Sequence, residues 1–431
     1  MLAAVLFLPV GADAVSARRA YAVDAVSGRV LYEKNPTERS LIASTTKIMT
    51  ALIVCEQCNV LDRMRIPKEA VGIEGSSMYL KEGEVLTLQE LLYGLMLSSG
   101  NDAAVALAEH VAGTTERFKE MMNARVKQMG CVTTEFGNIS GLDTATSYTT
   151  AREMVKITME VTKNETFAEI FKTATYKIPA TNLVEKERPL TTTNYLVDNH
   201  IVPQFMSTRY TGGLASYTEN SGAGVACTAE YNNMRVVFVV MGATRKTNEE
   251  TGTVESYGNF EEVTELANYV FNNYKVNRII YDGMAVNQWP VSGGECQVVG
   301  QSFTDVDTVV PASVQMKNYV MNYTVEGGGM TAPIKKDDKI ATMEVWYQNS
   351  CVTEVELYAM ADVRATGDTG VSIRSNGEKD GAGGSGVLST IGTICVIGLG
   401  LVGAYLAFNS FMRSRIRAQR RRRRAERRRS R

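Results

Sequence analysis

The chain has 431 residues, 44% of them hydrophobic and 22% charged, an ordinary globular composition in a length that calls for two folded domains plus appendages. The formal net charge of −1 conceals a split, because residues 413–431 hold twelve Arg and one Glu, leaving −12 on the remainder. An acidic body excludes nucleic acid as the expected partner, and seven scattered Cys exclude a disulfide framework.

Residues 2–10 are apolar and are followed by Ala12-Asp13-Ala14 and Val15-Ser16-Ala17, two small-x-small cleavage sites, so 1–17 reads as a signal peptide. It lacks a positive n-region, so either the start codon is set too late or the chain is truncated, and an internal strand is the competing reading. Apolar runs on either side of Ser27-Gly28 then predict a hairpin between Tyr21 and Tyr32. A nearly continuous apolar helix follows over 45–55. Residues 87–97 and 102–112 have helical periodicity and meet at the polar loop Ser98-Ser99-Gly100-Asn101. Thr150 with Glu153 predicts a capping box opening a helix over 151–162. Residues 222–230 and 234–242 read as strands joined at Asn232-Asn233, and 259–274 as an amphipathic helix. From 277 to 363 short β-rich runs alternate with Gly, Asp and Asn, the texture of a small β-sandwich.

Residues 364–386 are rich in Gly, Ser and Asp and read as a flexible linker. Residues 387–408 (VLSTIGTICVIGLGLVGAYLAF) carry no charge over a length that meets the requirement of about 20 residues for a transmembrane helix. The Arg-rich tail 409–431 follows at once and predicts a cytoplasmic end, placing the rest of the chain outside the cell membrane.

Two His, His110 and His200, are all the chain offers, and neither sits in a nucleophile, relay or metal context. A Ser-His-Asp triad and a zinc site are therefore poor hypotheses, and no metal or cofactor is expected. Cys55-Glu56-Gln57-Cys58 has redox spacing but ends an apolar helix, where core packing is the better account. Ser44-Thr45-Thr46-Lys47 supplies a serine with a base one helical turn away. A Lys beside Ile48, Met49, Ala51, Leu52, Ile53 and Val54 holds its charge at a cost, so its neutral form becomes usable. A capping Ser with a snorkelling Lys is the competing explanation of such a short match.

The longer strings ASTTKIMTAL and LLYGLMLSSGNDAAVALAEH resemble the D-alanyl-D-alanine carboxypeptidases, the low-molecular-weight penicillin-binding proteins, and the resemblance continues through NISGLD and TTAREM over roughly 18–363. It implies an α/β serine-transpeptidase-like domain at 18–276, an antiparallel sheet flanked by helices plus a helical subdomain. A β-rich domain at 277–363 and the single membrane helix follow. It also implies peptidoglycan stem peptides as substrate and β-lactams as covalent inhibitors. Carried over residue by residue, Ser44 is the acylated nucleophile, Lys47 its base and Ser99 a proton relay, while Asn101, Ser216 and Thr218 bind substrate. Backbone N–H groups of Ser44 and of the cleft-edge strand would form the oxyanion hole.

One motif departs from the family. Aligning Tyr217-Thr218 and Ser221-Gly222 places Leu214-Ala215-Ser216 where the family has Lys-Thr-Gly, the groups expected to bind the substrate's terminal carboxylate. Arg209, upstream on the strand, is a candidate replacement for the charge. Intact Ser44, Lys47, Ser99 and Asn101 favour a carboxypeptidase, whereas Leu214-Ala215-Ser216 favours a weakly active or noncatalytic peptidoglycan-binding or regulatory homologue. A β-lactamase of the same fold is a weaker third reading.

Overall fold

The computed structural model describes residues 15–198, 200–347 and 350–367. The expected span 387–408, the tail 409–431 and nearly all of the linker lie outside them. No helix among the described residues is long and apolar enough to cross a membrane.

The expected hairpin forms from strands Arg19–Asp24 and Val30–Lys34. Gly28 turns it at φ +71°, and the Asp24 carboxylate accepts from the Ser27 N–H at 2.8 Å. Strands Tyr210–Thr218, Gly222–Tyr231 and Met234–Ala243 complete an antiparallel five-stranded sheet. Arg19–Asp24 lies beside Met234–Ala243, and Tyr210–Thr218 forms the far edge. Asn232 and Asn233, at φ 49° and 65°, make the tight turn that the Asn-Asn pair predicts.

Period-two alternation divides the apolar side chains between two cores. Tyr21, Val23, Leu214, Ala226, Val237 and Val239 face the helices α1 (Thr46–Gln57), α2 (Leu88–Leu97), α3 (Asn101–Ala112), α4 (Thr115–Gln128), α5 (Ala151–Val161) and α6 (Glu165–Lys172). Ala20, Ala22, Val225, Cys227, Val236 and Phe238 face α7 (Gly258–Asn273). α1 is buried on all sides from Thr46 to Val54, so it serves as the axle of the helical layer. α4 escapes the sequence reading because only Phe118, Met122 and Val126 are buried on an otherwise polar helix. The box at Thr150 forms by half: its side chain caps the Glu153 N–H, but the Glu153 carboxylate turns away to the N–H groups of Thr133 and Thr134. The reciprocal box appears instead at Thr87 and Glu90, opening α2.

Val15 and Ala17 are buried in the α7-side core, Ser16 bonds the Glu262 carboxylate, and the Val15 carbonyl accepts from Lys34 Nζ at 2.8 Å. Cleavage after Ala17 would delete these contacts, whereas cleavage after Ala14 preserves them.

The C-terminal region pairs Tyr274–Ile280 with Val306–Pro311 and packs them on a five-stranded sheet. That sheet runs Ala285–Trp289, Val298–Gln301, Ser350–Ala359, Lys339–Tyr347, Tyr319–Val325. Ile279, Ile280 and Val310 from one sheet and Ala341, Met343, Val345 and Leu357 from the other share its core, a small sandwich. Val276 packs with the preceding core and Ile279 with this one, so the change of domain falls inside a strand.

Candidate active site

Ser44 sits in a short 3₁₀ turn, Ala43–Thr45, that hands the chain from strand Ser40–Leu41 to α1. Ala43 preceding it has φ +51°, a left-handed conformation unusual for a residue with a Cβ. What holds it there is close packing. A Cβ on Gly141 would fall 1.9 Å from the Ala43 carbonyl oxygen and 2.9 Å from the Ser44 nitrogen, so only glycine admits this approach. The Asn138 side chain accepts from the N–H of Ser140 and of Gly141 (3.1 and 2.6 Å), and Thr50 of α1 donates to the Ile139 carbonyl at 2.7 Å. Residues 138–143 are thereby clamped across the base of the serine turn.

Lys47 is 1% exposed, and its Nζ donates to the Ser140 carbonyl at 2.5 Å. Burial pulls its pKa from 10.5 down to about 7, against a weaker upward pull from the Asp102 carboxylate. An ammonium in such a place loses its hydration without gaining a paired carboxylate, so proton release near neutrality follows. The sequence expectation that an apolar setting lowers the Lys47 pKa holds in the structure.

Ser99 and Asn101 bracket the α2–α3 junction, both buried, with Ser99 at φ +54°. The Asn101 side chain donates to the Glu74 carbonyl at 2.7 Å and its backbone N–H to the Ser76 carbonyl at 2.7 Å. Asp102, which the sequence reading passes over, organises the loop that covers them. Its carboxylate accepts from Ser77 Oγ at 2.6 Å and from the N–H groups of Met78 and Leu80, both at 3.1 Å. The signal for Asp102 is its place in SSGND; the Ser140 carbonyl has none, being backbone.

The strand Tyr210–Thr218 runs alongside the serine turn. Leu214 is fully buried in the helix-side core opposite Ala226, and it supplies neither charge nor hydroxyl to the cleft. Ser216 lines a small pocket with Ile42, Thr45 and Ser221. The Thr218 hydroxyl is engaged by Asp143 at 3.1 Å and Ser221 at 2.7 Å, and Asn220 also bonds Asp143, at 3.1 Å. Asp143, another residue missed, thus ties the clamp loop to the end of the edge strand. Arg209 does not replace the missing lysine. Its guanidinium stacks 4.3 Å from the Tyr231 ring and donates to Asn268 at 3.1 Å, held at the start of the strand against α7. Cys55 and Cys58 are free thiols, and burial pushes Cys55 up to about 12, which suits core packing and not redox chemistry. No cluster of metal-ligating side chains occurs among the described residues.

A family model described as D-alanyl-D-alanine carboxypeptidase matches residues 8–245, and one described as the C-terminal domain of penicillin-binding protein 5 matches 274–365. The D-alanyl-D-alanine carboxypeptidase DacF of Bacillus subtilis (strain 168) is 29% identical over 361 residues, 81% of this chain and 87% of that protein. DacC of Escherichia coli (strain K12) is 29% identical over 371 residues, 83% of this chain and 87% of that protein. Among solved structures, penicillin-binding protein 5 from Haemophilus influenzae aligns with a TM-score of 0.62 at 26% identity, covering 83% of this chain and 100% of that one.

Proposed function

The chain belongs to the D-alanyl-D-alanine carboxypeptidase family, and we infer that it is a serine-type carboxypeptidase that removes the terminal D-Ala from peptidoglycan stem peptides. The observation that carries the mechanism is Lys47, buried one helical turn after Ser44 with a pKa brought to about 7. In its neutral form Lys47 takes the proton from Ser44 as Oγ bonds to the penultimate D-Ala carbonyl carbon. The C–N bond to the terminal D-Ala then breaks, and Ser99 relays the proton to the departing amine. Water hydrolyses the ester on Ser44 to release the shortened peptide and restore the serine. Asn101 contacts the peptide, and the N–H groups of Ser44 and of the edge strand near Ser216 receive the oxyanion. Thr218 at the strand end lines the peptide's path. No step calls on a metal or cofactor.

Covalent labelling by β-lactams follows from the same acylation step. We further propose that a leader ending at Ala14 exports the chain and 387–408 anchors it, with 15–363 outside the membrane and 409–431 inside. The test of function is a fluorescent penicillin adduct mapped to Ser44 together with D-Ala release from a D-Ala-D-Ala peptide. Both should be lost in Ser44→Ala, and retention of either would overturn the assignment.

A further inference from the structure

At the C-terminal end of the edge strand lies an open groove of about 510 Å³ lined by Arg18, Arg19, Arg39 and Arg245, with Glu219 the one acid. In a body that is otherwise acidic this is a local excess of positive charge. Arg18 and Arg19 share the carboxylate of Glu38. Arg39 and Arg245 differ, because among the described residues neither has a carboxylate partner. The Arg39 guanidinium lies 4.2 Å from the Tyr148 ring centroid, and that of Arg245 lies 4.6 Å from Tyr217 and 6.0 Å from Tyr257. Stacking on aromatic faces fixes a guanidinium while leaving its in-plane donors free. The Arg245 Nε is buried without a hydrogen-bond partner, as is that of Arg19 in the same groove.

The position of the groove gives this arrangement a use. The strand Tyr210–Thr218 ends the sheet, and its outer edge faces the serine turn, so an extended peptide can add to it. Antiparallel addition, the more stable ladder, runs the peptide from Thr218 toward Tyr210. Residues before the scissile bond then pass over Tyr217 and Thr218 and reach the groove within about 10 Å of extended chain.

We propose that Arg245, with Arg39, forms a distal subsite that binds a carboxylate of the substrate peptide upstream of the D-Ala-D-Ala bond. The subsite rests on the carboxypeptidase reading and adds a substrate class to it: stem peptides carrying a free acid, in preference to those in which it is amidated. Charge-assisted, bidentate binding of a carboxylate is what an aromatic-held guanidinium does well.

The test compares two peptides ending in D-Ala-D-Ala and differing only in whether an acid two or three residues upstream is free or amidated. The full-length protein should favour the free acid about tenfold in kcat/KM, mostly through KM. The double variant Arg39→Gln/Arg245→Gln should lose that preference, while Arg209→Gln keeps it. Calorimetric binding of both peptides to Ser44→Ala separates the subsite from the chemistry: the same preference there supports the subsite even if turnover fails. Equal use and equal binding of the two peptides by the wild type would overturn the proposal. So would a preference that survives the double substitution, or an equal fall on both peptides, which would assign the groove to the terminal carboxylate or to the fold.

Discussion

The pKa of Lys47 sets a pH dependence that can be worked through in sign and size. With an ordinary lysine pKa of 10.5, only about 3 in 10⁴ molecules would hold a neutral amine at pH 7; with a pKa of about 7, half do, a gain on the order of a thousandfold in usable base. Acylation by penicillin, followed by stopped-flow quenching of a fluorescent analogue, should therefore fall roughly tenfold per pH unit below 7 and level off above about pH 8. Stability follows the same group. The folded-state pKa is depressed below the unfolded one, so between about pH 7 and 10 the unfolded chain holds the proton that the native chain has lost. Stability then rises with pH across that window, by up to roughly 1.4 kcal/mol per unit. Below pH 7 both states are protonated and the slope disappears. Thermal melts of the wild type and of Lys47→Met, in which all other titrations cancel, isolate this term. A flat acylation profile from pH 5 to 8, or a midpoint above pH 9, would refute the reasoning.

Gly141→Ala should push the Ala43 carbonyl and Ser44 out of place, at a cost on the order of 3 kcal/mol, with loss of penicillin labelling; a normal melt and normal labelling would show the approach to be soft. Restoring Leu214→Lys, Ala215→Thr and Ser216→Gly together should raise D-Ala release about 10- to 150-fold, the worth of a charge-assisted hydrogen bond of about 1.5–3 kcal/mol. Leu214→Lys alone should lower the melting temperature, because that side chain is wholly buried. An unchanged rate in a folded triple variant would mean that this departure does not limit turnover. Protease added to intact cells should release the body by cutting within 364–386, and a tail cut first would reverse the orientation. N-terminal sequencing of the released body should begin at Val15; a start at Arg18 would mean that Val15 and Ala17 are dispensable.

Where chemistry is written in side chains at short spacing, the sequence is readable. Ser44 and Lys47 share a helix face by their separation alone, and the apolar run after Lys47 foretells its burial. The two helices meeting at Ser99 and the Asn232-Asn233 turn are legible because local geometry determines them. Contacts made by backbone atoms across long separations are not: nothing in Ser140 says that its carbonyl will meet Lys47 Nζ. Glu153 illustrates a conflict between levels, since its spacing from Thr150 suits a capping box but three donors in Thr133 and Thr134 prevail over the cap. Arg209 is a reasonable substitute along the strand in one dimension, and the aromatic faces of Tyr231 and Phe271 claim it in three.

The order of strands in the main sheet bears on how the protein is made. Ala22 is paired with Phe238, so although the first strand has its hairpin partner Val30–Lys34 at once, its other edge waits for a strand encoded far later, with the whole helical layer emerging between them. Helices can form locally as they appear, but the sheet on which they pack cannot close until residue 243 is available. A chain still missing its central strand, Met234–Ala243, therefore exposes the edges and apolar faces that holding factors grip and that loose aggregates exploit. Under the export proposed above, late closure would keep the polymer slack during passage and postpone assembly of the serine turn until the chain has crossed.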